Sequence, residues 1–140
     1  MTDNRYARLA GWKQRKIDRM VGTLAQLSTQ LVESQRAVAM LTDAIARERA
    51  HDMSGMDGLR QDWIRIRRME LFRSLARVDC LHRQARQLRK DMIDAQGELD
   101  GLKNHIQQAA RKHKLGAARA EQVRADESAI AAHWRGSTRR

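Results

Sequence analysis

The groups in this 140-residue chain that could do chemistry are five histidines, one cysteine and 17 acidic residues. His51, His82, His105, His113 and His133 are scattered along the chain, and none stands in a Cys-x-x-Cys or His-Glu-x-x-His pattern. Zinc therefore has no candidate ligand set. Cys80 lies between Arg77 and Arg83. Basic neighbours can activate a thiol, but a lone helical cysteine is ordinarily inert packing. No glycine-rich loop of the phosphate-cradling kind is present. Acid–base catalysis needs groups that converge in a pocket, and the elements read below offer none. The expectation is a chain with no catalytic, cofactor-binding or metal-ligating residues, and not an enzyme.

The charge is the remaining lead. Lys and Arg number 28, and the formal net charge is +11. Basic clusters fall at Arg5, Arg8, Lys13, Arg15, Lys16 and Arg19, then at Arg60, Arg65, Arg67, Arg68, Arg73 and Arg77. Others fall at Arg83, Arg86, Arg89 and Lys90, and at Arg111, Lys112, Lys114, Arg119 and Arg124. Interspersed acids such as Asp18, Asp62, Glu70, Asp91 and Asp94 fit a solvated helix exterior. The excess is still more than solubility requires, so an acidic partner is expected. Aromatics make up only 4% of the chain, too few for base stacking, and specific nucleic-acid binding is not expected. A membrane surface is disfavoured because no Trp/Phe/Leu-rich stripe opposite a Lys/Arg face stands out. A protein partner is the better reading.

These charges must be positioned by helices. There is no proline, and Ala, Glu, Lys, Leu and Arg make up close to half the chain. That composition marks long helices or coiled coils. Apolar residues recur at steps of three and four through Ile17, Met20, Leu24, Leu27, Leu31, Val38, Leu41 and Ile45, with Ser34 the one polar position. A second seam runs Leu81, Ala85, Leu88, Met92, Ala95, Leu99, Leu102, Ile106, Ala109, His113, Gly116, Ala120, Val123, Glu127, Ile130, Trp134. Both are heptad patterns. Upstream of the second, Ile64, Leu71, Leu75 and Val78 read as a broader apolar stripe. Residues 51–58 carry two glycines, aspartates and a serine, a turn cluster, with Asp57 placed to cap the next helix.

The expected fold is all-α, an antiparallel two-helix coiled-coil hairpin with a longer C-terminal helix. One domain covers 1–140, with a first helix over about 4–51, a turn over about 52–58, a second helix over about 59–135 and a frayed tail at 136–140. With the turn centred near Gly55, residue i should face a residue near 110 − i. The first arm is then used up opposite Ile106, and residues 107–134 overhang. Such an unsupported helix is marginal in water, so fraying is expected beyond about Gly116. Gly97 and Gly101 admit two readings, close packing against residues such as Trp12, which is favoured, or a hinge. No stretch is long and apolar enough for a transmembrane helix, no secretory signal opens the chain, and one cysteine suits a reducing, cytoplasmic compartment.

This architecture resembles the FliJ/YscO family, stalk and adaptor proteins of flagellar and injectisome type III secretion. Met40-Leu41-Thr42-Asp43 resembles the family's Met-Leu-x-Asp late in the first arm. Leu71, Leu75, Val78 and His82 resemble its apolar-x3-Leu-x2-small-x3-His pattern. Ala120-Glu121, Arg124, Asp126 and Ile130 resemble its C-terminal stretch. Ala44 and Glu48 stand where flagellar members carry tyrosines, and the C-terminal Gln-Lys-x-x-Asp-Glu type sequence is not kept, which leans toward the injectisome, virulence branch.

The resemblance implies protein transport without catalysis. A central stalk would enter the ring of a hexameric secretion ATPase and couple it to an export-gate membrane protein. Family members are also linked to secretion chaperones. Mapped onto this chain, the ATPase-binding residues would be Arg8, Lys13, Lys16, Arg111, Lys114, Arg119, Arg124 and Trp134. The export-gate-binding residues would be Leu41, Leu71, Leu75, Val78 and His82. The protein would be cytoplasmic, peripheral to the inner-membrane apparatus, and monomeric when free. Two other readings stand beside this one: a self-associating structural scaffold, and a basic nucleic-acid-binding coiled coil.

Overall fold

In a computed structural model the fold is described for residues 2–51 and 57–138. Two helices account for nearly all of it: α1, Thr2–Ala50, and α2, Asp57–Thr138. They pack against each other as an all-α helical hairpin without strands among the described residues. The first five residues of the expected turn, 52–56, lie outside the described residues, as do Arg139 and Arg140 of the expected tail. Asp57 opens α2, where its carboxylate complements the helix dipole.

The heptad pattern decides which face of each helix is covered. Along α1 the covered positions are Ala10, Lys13, Ile17, Met20, Leu24, Leu27, Leu31, Ser34, Val38, Leu41, Ile45 and Glu48, with Gly11, Gln14, Ala37 and Ala44 beside them. Along α2 they are Ile64, Arg67, Leu71, Ser74, Val78, Leu81, Ala85, Leu88, Met92, Ala95, Leu99, Leu102, Ile106 and Ala109, with Arg60, Trp63 and Glu70 beside them. The three-four alternation is unbroken, as two-stranded knobs-into-holes packing requires. The core is one layer thick. Among the described residues only Leu99 is wholly inaccessible to solvent, and burying a leucine contributes about 1.5–3 kcal/mol.

The upstream part of the α2 seam corrects the sequence reading. Leu75 is not in it and is 48% exposed. Arg67 and Ser74 take the seam positions instead. Arg67 manages this by lying 5.3 Å over the Trp63 ring and bonding Glu70 at 2.8 Å. The aliphatic stem thus covers the seam while the guanidinium stays satisfied.

The chain divides into two compact units. One combines Gln14–Gln96. Its buried residues are Ile17, Ser34, Ile45, Ile64, Leu81 and Ala85. The C-terminal end of α1 is closed here by two contacts. His51 N donates to Glu48 O at 3.3 Å, and Arg60 Nη2 donates to Arg49 O at 2.7 Å. The last carbonyls of a helix have no intrahelical partner, and these bonds satisfy two of them.

The other unit combines Met1–Lys13 with Gly97–Arg140. Here Lys13 Nζ meets Glu98 Oε2 at 2.9 Å. Tyr6 meets His105 edge to face, with centroids 5.2 Å apart. These pairs run antiparallel in the register read from the sequence, as does Arg49 with Arg60 in the first unit.

Beyond Ala109, every described residue of α2 through Gly136 and Ser137 is exposed. The helix nevertheless continues to Thr138. In the structure the stretch past Gly116, where fraying is expected, is helical. The physical reason is cooperativity. Nucleation is the costly step, and this segment only propagates a helix already formed. Its alanines and arginines are good helix formers, and no proline interrupts them.

Close packing at Gly97 and Gly101 is also overturned. A Cβ built at either position meets no atom within 4 Å. The trace of α2 passes both without a break.

Candidate functional site

Three surfaces stand out, and each lies inside one unit.

The first is the overhang, residues 110–137 of α2. Its apolar seam positions stand in solvent, with Val123 55%, Ile130 58% and Trp134 67% exposed. Around them, Arg111, Lys112, Lys114, Arg119, Arg124 and Arg135 outnumber Glu121, Asp126 and Glu127. At about 1.5 Å per residue the exposed stretch is roughly 40 Å long. Arg111, Lys114, Arg119, Arg124 and Trp134 are thus all displayed on one helix. Arg8 is likewise exposed and lines a groove with Arg5, Tyr6 and Leu9. Lys13 differs. Its side chain is only 24% exposed and holds Glu98, so it serves the packing of the two helices. Lys16 is exposed and falls in the other unit.

The second surface is the set Leu41, Leu71, Leu75, Val78 and His82. Leu41, Leu71 and Val78 are half-buried between the helices. Leu75 and His82 are exposed. The set straddles the rim of the seam and does not form one open patch.

The third surface was not foreseen from the sequence. Ile66, Met69 and Phe72 are 53%, 54% and 75% exposed, and Phe72 is the one phenylalanine of the chain. Arg65, Arg68, Met69, Phe72 and Arg73 line a groove on the outside of α2. The signal that finds it is the spacing 66, 69, 72 on the face opposite Ile64 and Leu71. The apolar stripe Ile64, Leu71, Leu75 and Val78 runs through the same segment and masks that spacing.

No group of three or more His, Cys, Asp or Glu side chains able to hold a metal ion occurs among the described residues. No described helix is long and apolar enough to cross a membrane. Cys80 is exposed and receives a bond from Gln84 Nε2 at 3.7 Å. A further apolar groove between the helices is lined by Ile17, Leu24, Arg89, Met92, Ile93 and Gln96. No protein-family model, no curated protein and no solved structure matches the chain.

Proposed function

We propose that this chain is a non-enzymatic stalk and adaptor of a type III secretion export apparatus, binding the secretion ATPase ring and coupling it to the export gate. The reading rests on the FliJ/YscO resemblance. The observation that supports it best is the overhang, a basic helix that carries its heptad seam well past the last covered residue, Ala109. A helix with an exposed seam and excess positive charge suits an acidic protein channel. Self-association is the weaker use of the same face. His113, Gly116 and Glu127 interrupt its seam, and Lys112, Arg119 and Arg124 flank it, so two copies would bring like charges together.

The test is the rate of the cognate secretion ATPase titrated with this protein at two salt concentrations. Stimulation should saturate near one stalk per hexamer and be lost in an Arg119→Glu/Arg124→Glu variant. No stimulation at any ratio, with a competent ATPase, overturns the reading. Sedimentation as a stable dimer would then favour the scaffold, and sequence-selective, salt-steep DNA binding the nucleic-acid reading.

A further inference from the structure

From the outer face of α2 over residues 65–77, we infer a docking surface for an anionic phospholipid bilayer, independent of the stalk reading. At about 100° per residue, Ile66, Met69, Phe72 and Ala76 fall within an arc of about 120°. All four are exposed. Arg65 and Arg73 rise from inside that arc, and Arg68 and Arg77 border it on either side.

Apart from Arg65, the arginines on this face carry uncompensated charge. Each nearby carboxylate already holds an arginine: Asp62 with Arg65 at 3.2 Å, Glu70 with Arg67 at 2.8 Å, and Asp79 with Arg83 at 2.6 Å. Arg68, Arg73 and Arg77 form no ion pair with the described residues. Three apolar side chains ringed by spare guanidinium groups are the composition of an interfacial helix. The apolar groups enter the acyl boundary, and the arginines reach back to phosphates.

Extent favours a bilayer over a protein. The face is the outside of a single helix. Its apolar run spans only 66–76, about 15 Å, before Cys80, Arg83 and Gln87 make the same side polar. A stable protein interface needs more area than that. A deformable anionic surface needs only a few apolar side chains and basic neighbours.

The experiment is flotation of the full chain with phosphatidylcholine vesicles, with and without phosphatidylglycerol. Net charge alone could draw the protein to the anionic vesicles, so the deciding variant is Met69→Ser/Phe72→Ser, which leaves charge unchanged. It should weaken binding about tenfold. Leu115→Ser/Val123→Ser, which removes comparable exposed apolar area from the overhang, should bind like the parent. An environment-sensitive dye on Cys80, about 12 Å along the helix from Phe72, should shift to the blue on the anionic vesicles only. All these side chains are exposed, and unchanged helical circular dichroism will confirm that the variants fold. Failure of the parent to float with anionic vesicles overturns the proposal. So does equal binding by the Met69/Phe72 variant, or loss of binding in both variants alike. Capture of an acidic protein through this face, without flotation, also overturns it.

Discussion

Tyr6 and His105 meet edge to face, ring centroids 5.2 Å apart and planes inclined by 66°. They lie near the end of the helix pairing, since α2 has only Ile106 and Ala109 covered beyond them. Such aromatic contacts contribute about 0.5–1.5 kcal/mol beyond burial. Tyr6→Ala should therefore loosen the start of α1. Faster hydrogen exchange at residues 5–12, with 20–45 unchanged, is the expected outcome.

Leu99 and Leu115 test how unevenly the core is distributed along one helix. Leu99 is wholly buried, whereas Leu115 is 59% exposed. Leu99→Ala should cost about 2–4 kcal/mol in urea unfolding, through lost transfer energy and an unfilled space. Leu115→Ala should change stability by less than about 0.5 kcal/mol.

Gly97 and Gly101 should accept alanine. Nothing lies within 4 Å of a Cβ at either site, and alanine is favoured over glycine inside a helix by about 1 kcal/mol. Each substitution should raise the thermal midpoint. A fall would mean that these positions need glycine for a bend absent from this structure.

Lys13→Ala should be mild, about 0–1 kcal/mol, because Glu98 is 66% exposed and solvent screens the pair. Lys13 belongs to the residues through which the resemblance implies ATPase contact. Its engagement with Glu98 predicts that ATPase stimulation falls less for Lys13→Ala than for Arg119→Ala, which alters an exposed residue.

The fold was legible because two heptad seams of this regularity leave few other solutions. The register near 110 − i follows from the turn cluster alone, and Lys13–Glu98 and Tyr6–His105 obey it. Where polar residues hold seam positions, the pattern misled. Arg67 and Ser74 concealed the seam, and Leu75 was drawn inward in their place. Whether an arginine can occupy a seam depends on neighbours such as Trp63 and Glu70, which a period does not reveal. The surfaces were less legible than the fold. Basic clusters could be counted, but only burial distinguishes Lys13, committed to Glu98, from Arg119 and Arg124. The exposed trio Ile66, Met69 and Phe72 likewise became visible only when the inward face was known.

The unbroken run of α2 to Thr138 bears on how a partner would be gripped. A segment that folds only on docking must surrender about 1–2 kcal/mol of backbone freedom per residue at that moment. In the structure residues 110–137 already hold the helical conformation. A complex formed on them keeps more of its contact energy as affinity, and its rate of formation depends on electrostatic steering and orientation with no folding step to wait for.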